Sequence, residues 1–157
     1  MMEQIYTFFT MEMTYLWLNL GILPFWILLI FFPYSKISKV FAASIFPIFI
    51  LSIVYVYLLY ISYLDNYDFL QNFKLYLGLN EISNLFEDKY FLIIFWTHFL
   101  AINLFCGSWI VKDSQKFGIN RFLIFFPLII TYLIGPIGLT IYWIIRIFYA
   151  KKISLYD

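Results

Sequence analysis

The chain is poor in charge and almost empty of histidine and cysteine. Only 12% of its 157 residues are Asp, Glu, Lys or Arg, against roughly one-quarter in soluble globular domains. A chain so short of charge cannot cover itself with a polar surface. Its ten Lys and Arg nearly balance nine Asp and Glu, and they are scattered rather than gathered in a stripe, so nothing indicates a nucleic-acid partner. A single histidine, His98, excludes the many-histidine iron sites of membrane hydroxylases and desaturases and also bis-histidine haem. The one cysteine, Cys106, excludes an internal disulfide. No Gly-rich dinucleotide fingerprint follows a strand pattern and no phosphate-binding loop occurs. The expectation is therefore no metal and no cofactor, with cofactor-free acid–base chemistry as the remaining catalytic option.

What the chain has instead is apolar length. Charge is missing from four runs, 13–35, 40–64, 90–111 and 122–145, each of 22 to 25 residues. At about 1.5 Å per residue each could cross a hydrocarbon core, which needs about 20 residues. A fully buried soluble helix is the alternative for any one run, but a core hiding four of them needs a longer chain. The opening MMEQIYTFFTMEM lacks a basic n-region and a small-residue cleavage site, so the first span is expected to be retained, and no Arg- and Ser-rich transit peptide is visible.

The expected fold class is thus all-α: a polytopic membrane protein, a four-transmembrane-helix bundle of two antiparallel hairpins, treated as one transmembrane domain over 1–157. The spans fall at about 11–34, 39–64, 90–111 and 121–149, with a short interfacial helix at about 81–88 before the third. Asn80 is its expected cap, with Ile82, Leu85 and Phe86 on one face. Membrane lipid is the expected environment, in a bacterial inner or a photosynthetic membrane, and a homo-oligomer or a membrane-protein partner is compatible. With four crossings, Lys36, Lys39, Lys112, Lys116 and Arg121 oppose Lys74, Lys89, Arg146, Lys151 and Lys152. That tie silences the positive-inside rule, apart from a weak preference for an outside N-terminus, with cytoplasmic short loops, from the charges flanking the first span. Tyr34, Tyr63, Tyr67, Tyr90, Trp109 and Tyr149 suit the headgroup region, although aromatic walls would equally suit a long conjugated ligand.

Polarity concentrates in the third and fourth runs. FWTHFLAINLFCGSW carries Thr97, His98, Asn103, Cys106 and Ser108, and polar groups inside a bilayer must find partners there. At about 100° per residue, His98, Ile102, Cys106, Trp109 and Asp113 share one broad face, whereas Asn103, Gly107 and Ser114 share another. An ionisable residue within a span is a functional candidate, and hydrogen-bonded glue between helices is its bland alternative. His98 and Asp113 are fifteen residues apart, about 22 Å along a helix, so they cannot touch one small reacting group. In the fourth run Pro136, between Gly135 and Gly138, should kink or break the helix and free carbonyls near Tyr132 or Ile134. Arg146 closes the run and can snorkel to phosphates.

These residues also carry a resemblance. Trp96 and His98, Ala101 with Leu104-Phe105, Gly107, Trp109-Ile110, Asp113-Ser114, Gly118-Ile119, Pro127 and Gly135-Pro136-x-Gly138 resemble the abscisic-acid-deficient-four-like membrane proteins of plants and photosynthetic bacteria. Leu85-Phe86 and the Pro24-Phe25-Trp26 group with Pro33 extend the resemblance upstream. Asn103 stands where that family's pattern has aspartate, and Ser108 stands where an arginine is frequent. The resemblance implies a role in carotenoid metabolism, with formation of neoxanthin from violaxanthin as the plant reaction and a carotenoid as the ligand. Under it, His98, Asn103 and Thr97 are the candidate catalytic set. Trp96, Cys106, Trp109, Tyr132, Gly135, Pro136 and Gly138 are candidate substrate contacts, with Asp113 and Arg146 as further candidates. An isomerase or rearrangement enzyme, a non-catalytic carotenoid or lipid binder, and a membrane assembly subunit all remain open.

Overall fold

Local capping chemistry sets where the helices begin and end. Asp88 Oδ1 accepts from Tyr90 N at 2.8 Å and Phe91 N at 3.0 Å, which opens the longest helix. Asn120 Oδ1 accepts from Phe122 N at 3.0 Å and opens the next. Between them Gly118, at φ +62°, closes the first of these helices, and Ile119 N returns to Ser114 O at 2.9 Å. A left-handed residue of this kind is easiest for glycine. Lys151, at φ 52°, ends the last helix in the same way without being glycine.

The structure, a computed structural model, describes residues 10–151. Residues 1–9 of the opening segment and Lys152 lie outside the described residues. Among the described residues the chain is helical throughout, with α1 (Met11–Phe31), α2 (Phe46–Leu64), α3 (Leu79–Glu87), α4 (Lys89–Lys116), α5 (Arg121–Leu133) and α6 (Gly135–Ala150). A π-helical turn, Ser38–Ala42, precedes α2, and a 3-10 segment, Phe69–Tyr76, precedes α3. The all-α expectation therefore holds. Three stretches, Met11–Phe31, Ser38–Leu64 and Lys89–Lys116, are long and apolar enough to cross a membrane. Large apolar side chains such as Phe32, Phe49, Val56, Phe126 and Phe148 stand exposed along the helices. An apolar surface of this extent suits lipid and not water.

Two expectations need correction. Asn80 lies inside α3 and not at its cap, which is Gly78 with no side-chain bond. The apolar face is as expected, with Leu85 buried and Phe86 against the rings of Phe91 and Phe95 at 5.4 and 4.8 Å. The larger correction concerns the fourth run, 121–149, which is not one spanning helix. Pro136 has no N–H to donate and its ring opposes the carbonyl four residues earlier, so α5 stops at Leu133 and α6 starts at Gly135. Ile134, at φ −141° and ψ 81°, is the extended link.

The chain forms two compact units, one holding α1 up to Gly21 and Ile50–Leu100, the other Ile22–Phe49 and the chain from Ala101 onward. In the first, Lys89 Nζ donates to Glu12 Oε1 at 3.1 Å and Tyr90 OH donates to Asp65 Oδ2 at 2.7 Å. In the second, α6 folds back along α5. A Cβ added to Gly138 would meet Pro127 O at 2.6 Å and would also collide with Thr131, so glycine permits this backbone approach. The same unit shows which way α6 runs. Gly135 faces Asn103, Trp109 faces Tyr142 and Trp143, and Asp113 faces Arg146. Ascending numbers on α4 meet ascending numbers on α6, so the two helices are parallel. A single straight fourth span would have made them antiparallel.

Candidate functional site

The face of α4 that carries Asn103, Gly107 and Ser114 is buried, and each of these residues meets a different element. Gly107 receives Trp26: a Cβ there would lie 2.7 Å from the far edge of the indole ring. The Trp26 ring in turn packs on Tyr132 at 5.3 Å. One turn earlier on the same face, the Asn103 amide lies across Gly135, with its Cγ at 3.0 Å and Nδ2 at 3.6 Å from where a Cβ would stand. Asn103 is 4% exposed, yet its Nδ2 has no hydrogen-bond partner, and neither does Trp26 Nε1. Buried N–H groups nearly always find acceptors, so two without one in this neighbourhood are notable. This layer is uncharged and lined by rings.

Ten residues further along α4 the character changes. Asp113 Oδ2 accepts from Arg146 Nε at 2.7 Å and from Tyr142 OH at 2.6 Å. Asp113 is 8% and Arg146 2% exposed, so this is a buried ion pair with a phenol as third member. The guanidinium lies between two rings, 4.7 Å from Phe117 and 4.9 Å from Trp143. Such stacking suits a weakly hydrated, planar cation. Trp109 closes the layer, edge-on to Tyr142 at 5.6 Å and stacked on Trp143 at 6.1 Å. Beyond it, Tyr34 donates to Ile119 O and to Ser114 Oγ, and Ser114 donates to Val111 O. The serine at 108 donates to Ala42 O at 2.8 Å.

The expected catalytic set divides between the two units, with Thr97 and His98 in the first and Asn103 in the second. Thr97 is fully buried and its hydroxyl donates to Ile93 O within its own helix, at 2.8 Å. His98 is exposed. It precedes Asn103 by five residues on α4, about 7.5 Å along the axis and 140° around it. Trp96 stacks on Phe99 at 5.3 Å and packs on Tyr15 at 5.7 Å, and its Nε1 also lacks a partner. Cys106 is half-buried and Pro136 exposed, whereas Gly135 and Gly138 are buried. Arg146, expected to snorkel outward, is turned into the protein. Trp109 and Tyr34 are engaged in packing, while Tyr63 and Tyr149 are exposed.

Sequence reasoning passed over Trp26, Gly107 and Tyr142 as site residues. A signal for the last existed: Gly138, Tyr142 and Arg146 follow one another at i, i+4 spacing and form the buried stripe of α6.

The sequence profile of a family described as ABA DEFICIENT 4-like matches residues 13–142. The chain belongs to the ABA DEFICIENT 4-like family. Its relative Protein ABA DEFICIENT 4, chloroplastic, of Arabidopsis thaliana is 32% identical over 99 residues, which is 61% of this chain and 44% of that protein. The match thus spans less than half the relative's length. No solved structure matches the chain. The family match contains the Asn103–Gly135 layer together with Asp113 and Tyr142, and it stops short of Arg146. The three long apolar stretches associate the chain with a membrane.

Proposed function

We propose that this ABA DEFICIENT 4-like protein acts within the bilayer on a xanthophyll, as a cofactor-free isomerase or epoxide-rearrangement enzyme. The observation that carries this reading is the parallel packing of α6 on α4. It sets the start of α6 against Asn103, beside the Trp26–Tyr132 ring pair, and so combines an uncharged polar group with aromatic surface. A long polyene bearing oxygen only at its terminal rings has that same combination.

The plant reaction suggested by the family converts violaxanthin to its isomer neoxanthin. An epoxide C–O bond breaks, the released oxygen gains a proton to become a hydroxyl, and the adjacent polyene carbon loses a proton as the allene forms. Atoms and electrons balance with no oxidant, so a proton donor and acceptor suffice. Asn103 supplies orientation in this reading and not protons, because an amide is neither acid nor base at ordinary pH. In the bilayer, α1, the Ser38–Leu64 stretch and α4 each cross once, while α5 and α6 form a re-entrant hairpin. At about 1.5 Å per residue, the 13 residues of α5 and 16 of α6 reach about 20 and 24 Å, short of a hydrocarbon core about 30 Å thick.

The test is expression in a host that accumulates violaxanthin, followed by purification in mild detergent and pigment analysis. Bound xanthophyll together with a new isomer in the membranes supports the enzyme. Bound pigment without conversion reduces the protein to a carotenoid binder. A colourless protein that co-purifies with another membrane protein overturns both in favour of an assembly subunit.

A further inference from the structure

We propose that the first turn of α6 and the Asn103 amide form a binding site for one uncharged oxygen acceptor, a hydroxyl, epoxide or carbonyl, on an otherwise apolar molecule. The first N–H groups of a helix have no partner within it and carry the positive end of its dipole. In α6 this turn is unusual in composition. Pro136 has no N–H, and Ile137 N and Gly138 N both donate to Ile134 O, at 3.1 and 3.3 Å. Gly135 N–H is the remaining donor of that turn.

The second observation is independent of the helix end. Asn103 arises from α4, is more than nine-tenths buried, and lays its amide across Gly135 with Nδ2 unpartnered. Gly135 has no side chain to hold the amide away, and any Cβ there would collide with the Asn103 carbonyl oxygen. An unpartnered buried donor in an apolar setting selects an acceptor. The nearest charged pair, Asp113 with Arg146, is ten residues further along α4 and is about 15 Å away along the helix. A carboxylate ligand would therefore be buried at this layer without a counter-ion, which disfavours it strongly. The selected group is a neutral oxygen.

That the natural occupant is a xanthophyll ring oxygen rests on the functional reading above, whereas the chemistry of the site does not. The site is tested with octadecanol, 1,2-epoxyoctadecane, octadecane and stearate, added to the full chain in detergent micelles. The readout is the NMR signals of the Asn103 side-chain amide and the Gly135 N–H. The alcohol and the epoxide should shift both signals saturably, and octadecane and stearate should not. Asn103→Leu should weaken the alcohol's effect on Gly135 about tenfold, the size of one lost hydrogen bond of roughly 1.4 kcal/mol. If that variant fails to fold, Asn103→Ala removes the amide donors without adding volume, and the same weakening is expected. Equal shifts with octadecane, or no saturable shift with either oxygen probe, overturn the site. A positive probe result without violaxanthin conversion leaves the site standing and removes the enzyme. Conversion that is unaffected by Asn103→Leu does the reverse.

Discussion

At the residue scale, the buried charges are where the largest energies lie. Asp113 and Arg146 are both nearly inaccessible and share a hydrogen bond at 2.7 Å, with Tyr142 donating to the same carboxylate oxygen. Removing one partner leaves the other charge buried and uncompensated, a loss typically of about 3 to 5 kcal/mol. Asp113→Ala and Arg146→Met should each destabilise the protein by about that amount in reversible denaturant unfolding in mixed micelles. The double variant Asp113→Leu with Arg146→Met should recover most of the loss, because an apolar pair leaves no charge stranded. If the double variant is as unstable as the sum of the singles, the pair contributes more than mutual neutralisation. The contact was hidden at this scale. Asp113 and Arg146 were each visible in the sequence, but only a folded-back α6 allows them to meet.

At the scale of the element, the α5–α6 hairpin depends on one glycine of the last helix. Gly138 lies so close to Pro127 O and to Thr131 that a methyl group has nowhere to go. Because the opposing atoms include backbone, which cannot rotate aside, Gly138→Ala should force the two helices apart. The expected cost is about 1 to 3 kcal/mol, as for other overpacked sites. It would be read as a lower unfolding midpoint and as faster proteolysis near Ile134. An unchanged midpoint would mean that α6 does not pack on α5 this closely. The break before this helix was legible from Pro136, since the loss of an N–H and the ring's clash are local properties. Its angle was not, because a break permits a bend of a few degrees as readily as a full reversal.

At the scale of the molecule, the reversal decides topology. Under the proposed re-entrant hairpin, Arg146 and Lys151 would join Lys36, Lys39, Lys112, Lys116 and Arg121 on one side of the membrane, with Lys74 and Lys89 on the other. Leaving Lys152 aside, the tie expected for four crossings would become seven against two, and the prediction from the positive-inside rule is that the richer side faces the cytoplasm or its organellar equivalent. A single cysteine introduced at Ser35, one at Asn120 and one at Lys151, each in a Cys106→Ser background, should all react with a membrane-impermeant maleimide from that side. One at Asp68 should react only from the opposite side. Labelling of position 151 from the same side as position 68 would restore a fourth crossing and end the re-entrant hairpin.

The sequence by itself determined the three long apolar stretches and the break at Pro136, because charge-free runs and a missing N–H act through neighbours in the chain. It also brought Asn103, Asp113, Gly135 and Arg146 forward as candidates, since polar or small residues in apolar helices are few. Only the tertiary structure decided that His98 stands exposed apart from Asn103, that Trp26 and Tyr142 belong to the two layers, and that α6 turns back beside α4. Helix period assigns residues to faces, but the partner of a face is chosen by contacts between segments distant in the chain. In this protein those contacts are an amide over a glycine and a carboxylate held by an arginine, and together they set the direction of the last helix.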